Sequence, residues 1–522
     1  MKRPPIDCYV PPAPELEEKI IRTRQRILAN EALPRSPNDQ LLDLRTFVLI
    51  ATRPSTRDNV FYSHAAQRAP VIGAKRVLVL LVDFSDGAAT QTQGHYNDML
   101  FSLGSYATGS MADFYREISY NKVTITGQVQ GAGGPTAGWF RAPRPKSYYA
   151  NNNFGFGDYP QNAQKLVEDV IDMAAPHVNF ADYDNDGDGV VDALMVVAAG
   201  TGAEVTGNKN DIWSHKWEIN PKTYNGVQIR AYNMQPEDGR VGVFSHELGH
   251  LLCAWPDLYD TDYTSAGTGR WDLMAGGSWN GGGDRPAHPT CWCKTKVGWL
   301  TPTTIFNAAQ SITLPPYSGS DQAYKLPIGG ADSKEYFLLT NRQQAGFDQA
   351  LPGAGLLIEH CDDSKNSNTD ETHYLVDIVQ ADGRQDLNKN ANSGDATDLY
   401  PIDGNNQLTT ASAPSSKGYG DVDSKIAVTN IQRSGLNITA DINVGGVAST
   451  SWYYNVKVNS TFAHYTSQWA WADIAGLGWR RIKDGAADGV TNTFTALCEA
   501  CANDRPVHVY ADGTFLYTMY VV

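Results

Sequence analysis

The chain has 522 residues and a mass of 57.0 kDa, more than one hydrophobic core usually serves, so a single small module is excluded and a main domain with one or two satellites is expected. A formal charge of -15, from 57 acidic and 42 basic residues, repels a phosphate backbone; it argues against nucleic acid as a partner and for cations. With 41% hydrophobic residues, 48 Gly and 27 Pro, the composition is globular and rich in strand and turn.

In chain order, Pro-rich sequence opens the first 75 residues and Glu15 to Leu28 follows with Leu16, Ile20, Ile27 and Leu28 on one helical face, which predicts an amphipathic helix. The start, Met-Lys-Arg-Pro-Pro-Ile-Asp-Cys, lacks the apolar core of a secretory signal, and no stretch of eighteen apolar residues predicts a membrane span. At Arg76 the character changes: Val77 to Val82 is an unbroken apolar run, the mark of a strand buried on both faces. Met111, Phe114, Tyr115 and Ile118 then keep helical spacing, Lys122 to Gly127 alternates as a strand, Leu166 to Ala174 marks a second helix, and Ala193 to Ala199 is another buried strand. Strands alternating with helices predict an α/β domain with a largely parallel sheet over residues 76–310. From Ile312 the pattern turns to strand and turn, a β-rich domain over 311–444. The small, polar stretch 445–451 reads as a linker to a compact β module, 452–522, which holds Trp452, Trp469, Trp471 and Trp479; Trp469 and Trp471 alternate and read as aromatic core. Cys291 with Cys293, and Cys498 with Cys501, read as buried thiols or one local disulfide rather than a zinc knuckle.

Inside the apolar stretch Val243 to Leu252 lies His246-Glu247-Leu248-Gly249-His250. Residues four apart share one helical face about 6 Å apart, so two imidazoles can grip one zinc ion while Glu247 reaches the water that zinc activates. Glu247 is then the general base, not a ligand. A catalytic zinc needs a third protein ligand. Asp257, just after Pro256 where the chain can fold back, is the first choice, with Asp260 in reserve and Cys253 a turn too far along the helix.

His-Glu-x-x-His, the following Pro256-Asp257-Leu258-Tyr259-Asp260, and Trp271-Asp272-Leu273-Met274 leading to Gly277-Ser278-Trp279 together resemble the immune inhibitor A family of bacterial metalloproteases, which are metzincin-like peptidases. Segments ending in Val82-Asp83-Phe84, Phe114 to Glu117, Ile212 to Trp217, Gly298 to Leu300 and Glu335 to Leu338 extend the resemblance over about residues 76 to 445. It implies an α/β metzincin-like catalytic domain followed by β-rich domains, zinc endopeptidase activity on protein or peptide substrates, zinc ligands His246, His250 and Asp257, and Met274 in the turn that floors the metal. The family usually has Gly where Cys253 stands and reaches its Asp one residue sooner, so the helix exit here carries an insertion. Extracellular residence is implied as well. In metzincin-like folds a substrate lies extended along an edge strand, and Ile212 to Trp217 suits that role.

Asp182 to Asp192 presents carboxylates at alternate positions. Calcium takes six to eight oxygens, and the register Asp184, Asp186, Asp188, the Val190 carbonyl and Asp192 supplies them, clamping the loop that feeds the strand 193–199. A looser cluster, Asp382, Asp386, Asp395 and Asp398, reads as a solvated acidic loop. An intact Glu247 argues against the alternative of a catalytically silent, surface-binding protein, while a zinc hydrolase of non-peptide substrates stays open. Metzincin zymogens are kept latent by a propeptide thiolate or carboxylate on the zinc. Cys8, flanked by prolines, or Asp7 could fill that role, with residues 1–75 as the prosegment.

Overall fold

A backbone flanked only by apolar side chains needs cover on both faces, and the strand through Val77 to Val82 has it: all six residues are completely buried. The computed structural model describes residues 9–28, 70–131, 138–445, 451–463, 469–485, 488–511 and 515–522. Helix α1 (Pro14–Leu28) carries Glu15 and Glu17 in its first turn and Arg26 in its last, matching the helix dipole, and buries Leu16 and Ile20. The main sheet follows; its longer strands are β1 (Gly73–Asp83), β2 (Val123–Gln130), β3 (Leu194–Ala198), β4 (His215–Tyr224) and β5 (Val227–Pro236), and the short strand Phe140–Arg141 pairs parallel with the end of β1. Its order is β2-β1-β3-β5-β4; the pairs β1 with β2, β1 with β3 and β3 with β5 are parallel, and β4 lies antiparallel to β5 at the edge. That edge begins within the segment 212–217 expected to guide substrate. Helices α2 (Met111–Ile118) and α3 (Ala163–Ala174) fall where the apolar spacing put them. Ser110 and Asp113 close a capping box at the start of α2.

Helix α4 (Val241–Cys253) carries the His-Glu-x-x-His residues and is buried along its whole length. Two glycines permit this. A Cβ on Gly242 would meet the Ser278 carbonyl oxygen at 1.9 Å, and one on Gly249 would lie 3.1 Å from the Met274 sulfur and 2.9 Å from the Trp255 ring. Tyr115 of α2 donates to the Ser245 carbonyl at 2.8 Å, fixing the two helices against each other.

Helix α5 (Cys291–Lys296) leads into the β-rich region, where β6 (Ala308–Leu314), β7 (Tyr324–Pro327), β8 (Glu335–Arg342), β9 (Gly355–Asp362), β10 (Val376–Ile378), β11 (Ile426–Ser434) and β12 (Asn437–Val444) form two antiparallel ladders, β10-β9-β8-β7 and β11-β12-β6. This region braces the segment that follows α4. The buried Arg342 pairs with Asp348 at 2.8 Å and donates to the carbonyls of Trp271 and His288, and Glu359 accepts the N–H groups of Cys291 and Trp292 at the start of α5.

The last module departs from the expected aromatic core. Its sheet, β13 (Ser451–Val456), β14 (Val458–Ala463), β15 (Ala470–Ile474), β16 (Gly478–Ile482), β17 (Val507–Ala511) and β18 (Phe515–Val521), is joined by helix α6 (Gly489–Ala502). The module core is aliphatic, with Val458, Ile474, Ile482, Leu497, Val507, Val509 and Leu516. Strand alternation turns Trp452 and Trp479 outward, and both, with Trp469, are exposed. The cysteines are free thiols among the described residues, so neither pair forms a local disulfide.

Candidate metal centre

Helix α4 ends at Cys253, earlier than Pro256 alone requires, because Ala254 takes a left-handed conformation (φ 53°) and its N–H bonds back to the Gly249 carbonyl. The reversed chain returns beneath the helix. There the Trp255 carbonyl accepts from His250 Nδ1 at 2.6 Å, and the Leu273 carbonyl, in the turn carrying Met274, accepts from His246 Nδ1 at 2.9 Å. A carbonyl can only accept, so each Nδ1 carries the proton and each Nε2 presents a lone pair. The two Nε2 atoms lie 3.0 Å apart, and Asp257 Oδ1 lies 3.1 Å from both. Asp257 Oδ1 receives no hydrogen bond among the described residues. Three buried ligand atoms thus face one point at 3.0–3.1 Å from one another, and two imidazoles with one carboxylate suit zinc. The residues present therefore fit the metal.

Burial, reinforced by the charges of Asp257 and Glu204, holds the Glu247 carboxyl well above the usual carboxylate range. The Val10 N–H acts on it in the opposite direction. Met274 is fully buried in the core beneath α4. Cys253 packs in that same core, away from the ligand group, and Asp260 belongs elsewhere: with Asp262 and Glu371 it forms a separate acidic group, its carboxylate receiving Thr264, Ser265 and the Asp262 N–H. Only Glu371's arrival from far along the chain creates that group.

The feature sequence reasoning missed is a backbone atom. The Tyr9 carbonyl oxygen lies 3.0 Å from His246 Nε2, and the Tyr9 N–H donates to Asp257 Oδ2 at 3.1 Å. Tyr9 bridges His215 at the start of the edge strand β4 in the antiparallel sense. Tyr259 donates its hydroxyl to the Tyr9 carbonyl at 3.3 Å, Trp213 Nε1 to the Val10 carbonyl at 3.0 Å, and Trp279 Nε1 to the Pro11 carbonyl at 2.8 Å. Leu16 and Ile20 of α1 then bury against Phe154, Trp213, Tyr259 and Tyr263. Asp7 and Cys8, the blocking ligands expected from sequence, lie outside the described residues.

In the acidic loop, Asp184, Asp186 and Asp188 bring carboxylate oxygens within 4.8 Å of one another. Positive φ at Gly187 and Gly189 lets the loop wrap, and three loop N–H groups point at Asp184. The Val190 N–H bonds Asp188, while Asp192 accepts the Asn185 N–H at 2.6 Å. The looser aspartates do not form a common ligand group among the described residues; Asp398 instead receives Trp271 Nε1 and the Asp395 N–H.

Residues 71–301 match the family model described as immune inhibitor A peptidase M6, catalytic domain. The pre-pro-metalloprotease PrtV of Vibrio cholerae serotype O1 is 34% identical over 284 residues, covering 43% of this chain and 30% of PrtV. Immune inhibitor A of Bacillus thuringiensis subsp. alesti is 32% identical over 259 residues, covering 40% of this chain and 36% of that protein. The chain thus spans 30% to 36% of the length of these curated relatives.

Proposed function

We propose, from the match of residues 71–301 to the immune inhibitor A peptidase M6 catalytic domain, that the chain is a zinc-dependent endopeptidase of protein substrates, metzincin-like in fold, held latent by its own N-terminal segment. The observation that carries this reading is the convergence of His246 Nε2, His250 Nε2 and Asp257 Oδ1 at 3.0–3.1 Å from one another. Zinc held there supplies a Lewis acid and brings the pKa of water toward neutrality. Glu247, buried beside the ligands, takes the proton of the attacking water and passes it to the leaving nitrogen. Tyr259, whose hydroxyl meets the Tyr9 carbonyl, is suited to donate to a substrate carbonyl as negative charge develops on it. The Met274 turn sets the Leu273 carbonyl that orients His246.

Latency follows from the same contacts. The Tyr9 carbonyl, 3.0 Å from His246 Nε2, would keep water from a metal held there, which supports a carbonyl block next to Cys8 rather than a thiolate; Cys8→Ala should leave the chain latent. A calcium ion held by Asp184, Asp186 and Asp188, completed by the Val190 carbonyl and Asp192, would tie the loop to β3 in a structural role. Residence outside the cell is proposed from the relatives. Casein digestion with and without a chelator, beside Glu247→Ala, tests the reading. Chelator and mutation should each abolish hydrolysis after the N-terminal segment is displaced; digestion that survives either would overturn it.

A further inference from the structure

An inhibitory segment can cross a cleft in either direction, and its direction decides whether it reports on substrates. Here the carbonyl oxygen of Tyr9 lies 3.0 Å from His246 Nε2, and the Tyr9 N–H donates to Asp257 Oδ2 at 3.1 Å. Hydrolysis needs a substrate carbonyl at the ligands. The antiparallel bridge from Tyr9 to His215 on the edge strand agrees with it. Beyond the Tyr9–Val10 bond two indoles meet consecutive carbonyls, Trp213 that of Val10 and Trp279 that of Pro11. On the other side the Tyr9 ring lies 5.0 Å from that of Phe156, centroid to centroid. Val10 is fully buried, in a space that admits an aliphatic side chain.

Resting on the peptidase reading, we infer that residues 9–11 lie as a substrate lies. Trp213 and Trp279 are then the donors for the carbonyls of the first and second residues after the scissile bond, and the preferred bond joins an aromatic residue, set against Phe156, to a small aliphatic one. Neither tryptophan is needed to hold zinc or move a proton, so their loss should fall on binding.

The test uses the full chain carrying Ile20→Asp, in which a charge at a fully buried position keeps α1 from docking and opens the cleft. Two quenched peptides share a Tyr–Val bond; one ends at the valine amide and the other continues by two alanines. Trp279→Phe should raise KM about fivefold for the longer peptide only, and Trp213→Phe about fivefold for both, with kcat within about twofold, since each removes one hydrogen bond. The Kd values of uncleaved peptides, measured by anisotropy on chains also carrying Glu247→Ala, should follow the same order. Equal effects of Trp279→Phe on both peptides, or none, would overturn the inference while casein hydrolysis leaves the peptidase reading standing. An opened chain that cuts neither peptides nor casein would overturn both.

Discussion

Ile20→Ala should activate the intact chain. Ile20 is completely buried against aromatic residues that also border the metal site, and truncating a buried isoleucine costs about 2–5 kcal/mol. The cost is paid only when α1 is docked. Taking about 3 kcal/mol, and about 1.4 kcal/mol for each factor of ten, the ratio of docked to open chain falls about 100-fold. While the docked form still dominates, the initial rate on a quenched peptide should rise by the same factor. Adding Leu16→Ala, at 3% exposure, should carry the rate to a plateau set by the open enzyme. Zinc content should not change, because no ligand is touched. Limited trypsinolysis at Arg22, Arg24 and Arg26 reports undocking independently. Faster trypsinolysis with an unchanged peptide rate would show that this segment does not keep the site closed.

Calcium at constant zinc should raise the melting temperature, because an ion that binds only the folded loop stabilises it by mass action; Asp184→Ala with Asp188→Ala should erase the rise, and an unaltered response would place the ion elsewhere. Gly242→Ala should lower the urea midpoint by about 3 kcal/mol of stability, since the new methyl would sit 1.9 Å from a backbone oxygen; an unchanged midpoint would mean that α4 is not packed so closely. Burial raises the Glu359 carboxyl from 4.5 to about 7, the largest effect on it, against the N–H groups of Cys291 and Trp292. A raised acid favours folding in its protonated form, so its contribution is full below about pH 4.5 and is lost as pH rises through about 7, about 3 kcal/mol in all. Melting temperature should fall over that window, and Glu359→Gln should flatten the fall without abolishing it, because Glu204, Asp272 and Asp377 are raised for the same reason. A slope unaffected by Glu359→Gln would refute this assignment.

The parts of the centre that are legible in sequence are those carried by side chains at fixed helical spacing. His246, Glu247 and His250 announce themselves, and Asp257 follows because a chain reversing after the helix must pass beneath it. The means of reversal is less legible. Ala254 in a left-handed conformation has no signature, since glycine or asparagine would be expected there. The Tyr9 carbonyl is invisible for a deeper reason: every residue has such a group, and only the folded path of residues 9–13 brings this one to the histidines. Likewise Asp260 beside Glu371 needs 110 residues of intervening fold. In the last module, helix α6 and the sheet face it covers have no signature in the sequence, so the outward turn of Trp452 and Trp479 is not legible there.

X-ray absorption at the zinc edge of the full, latent chain tests the central claim most directly. The account predicts one zinc bound by two imidazole nitrogens and two oxygens at about 2.0–2.1 Å, the oxygens being those of Asp257 and the Tyr9 carbonyl, with both imidazoles lost in the double variant His246→Ala, His250→Ala. A sulfur shell at about 2.3 Å would contradict the carbonyl block and point to a thiolate, and a chain that binds no zinc would contradict the account as a whole.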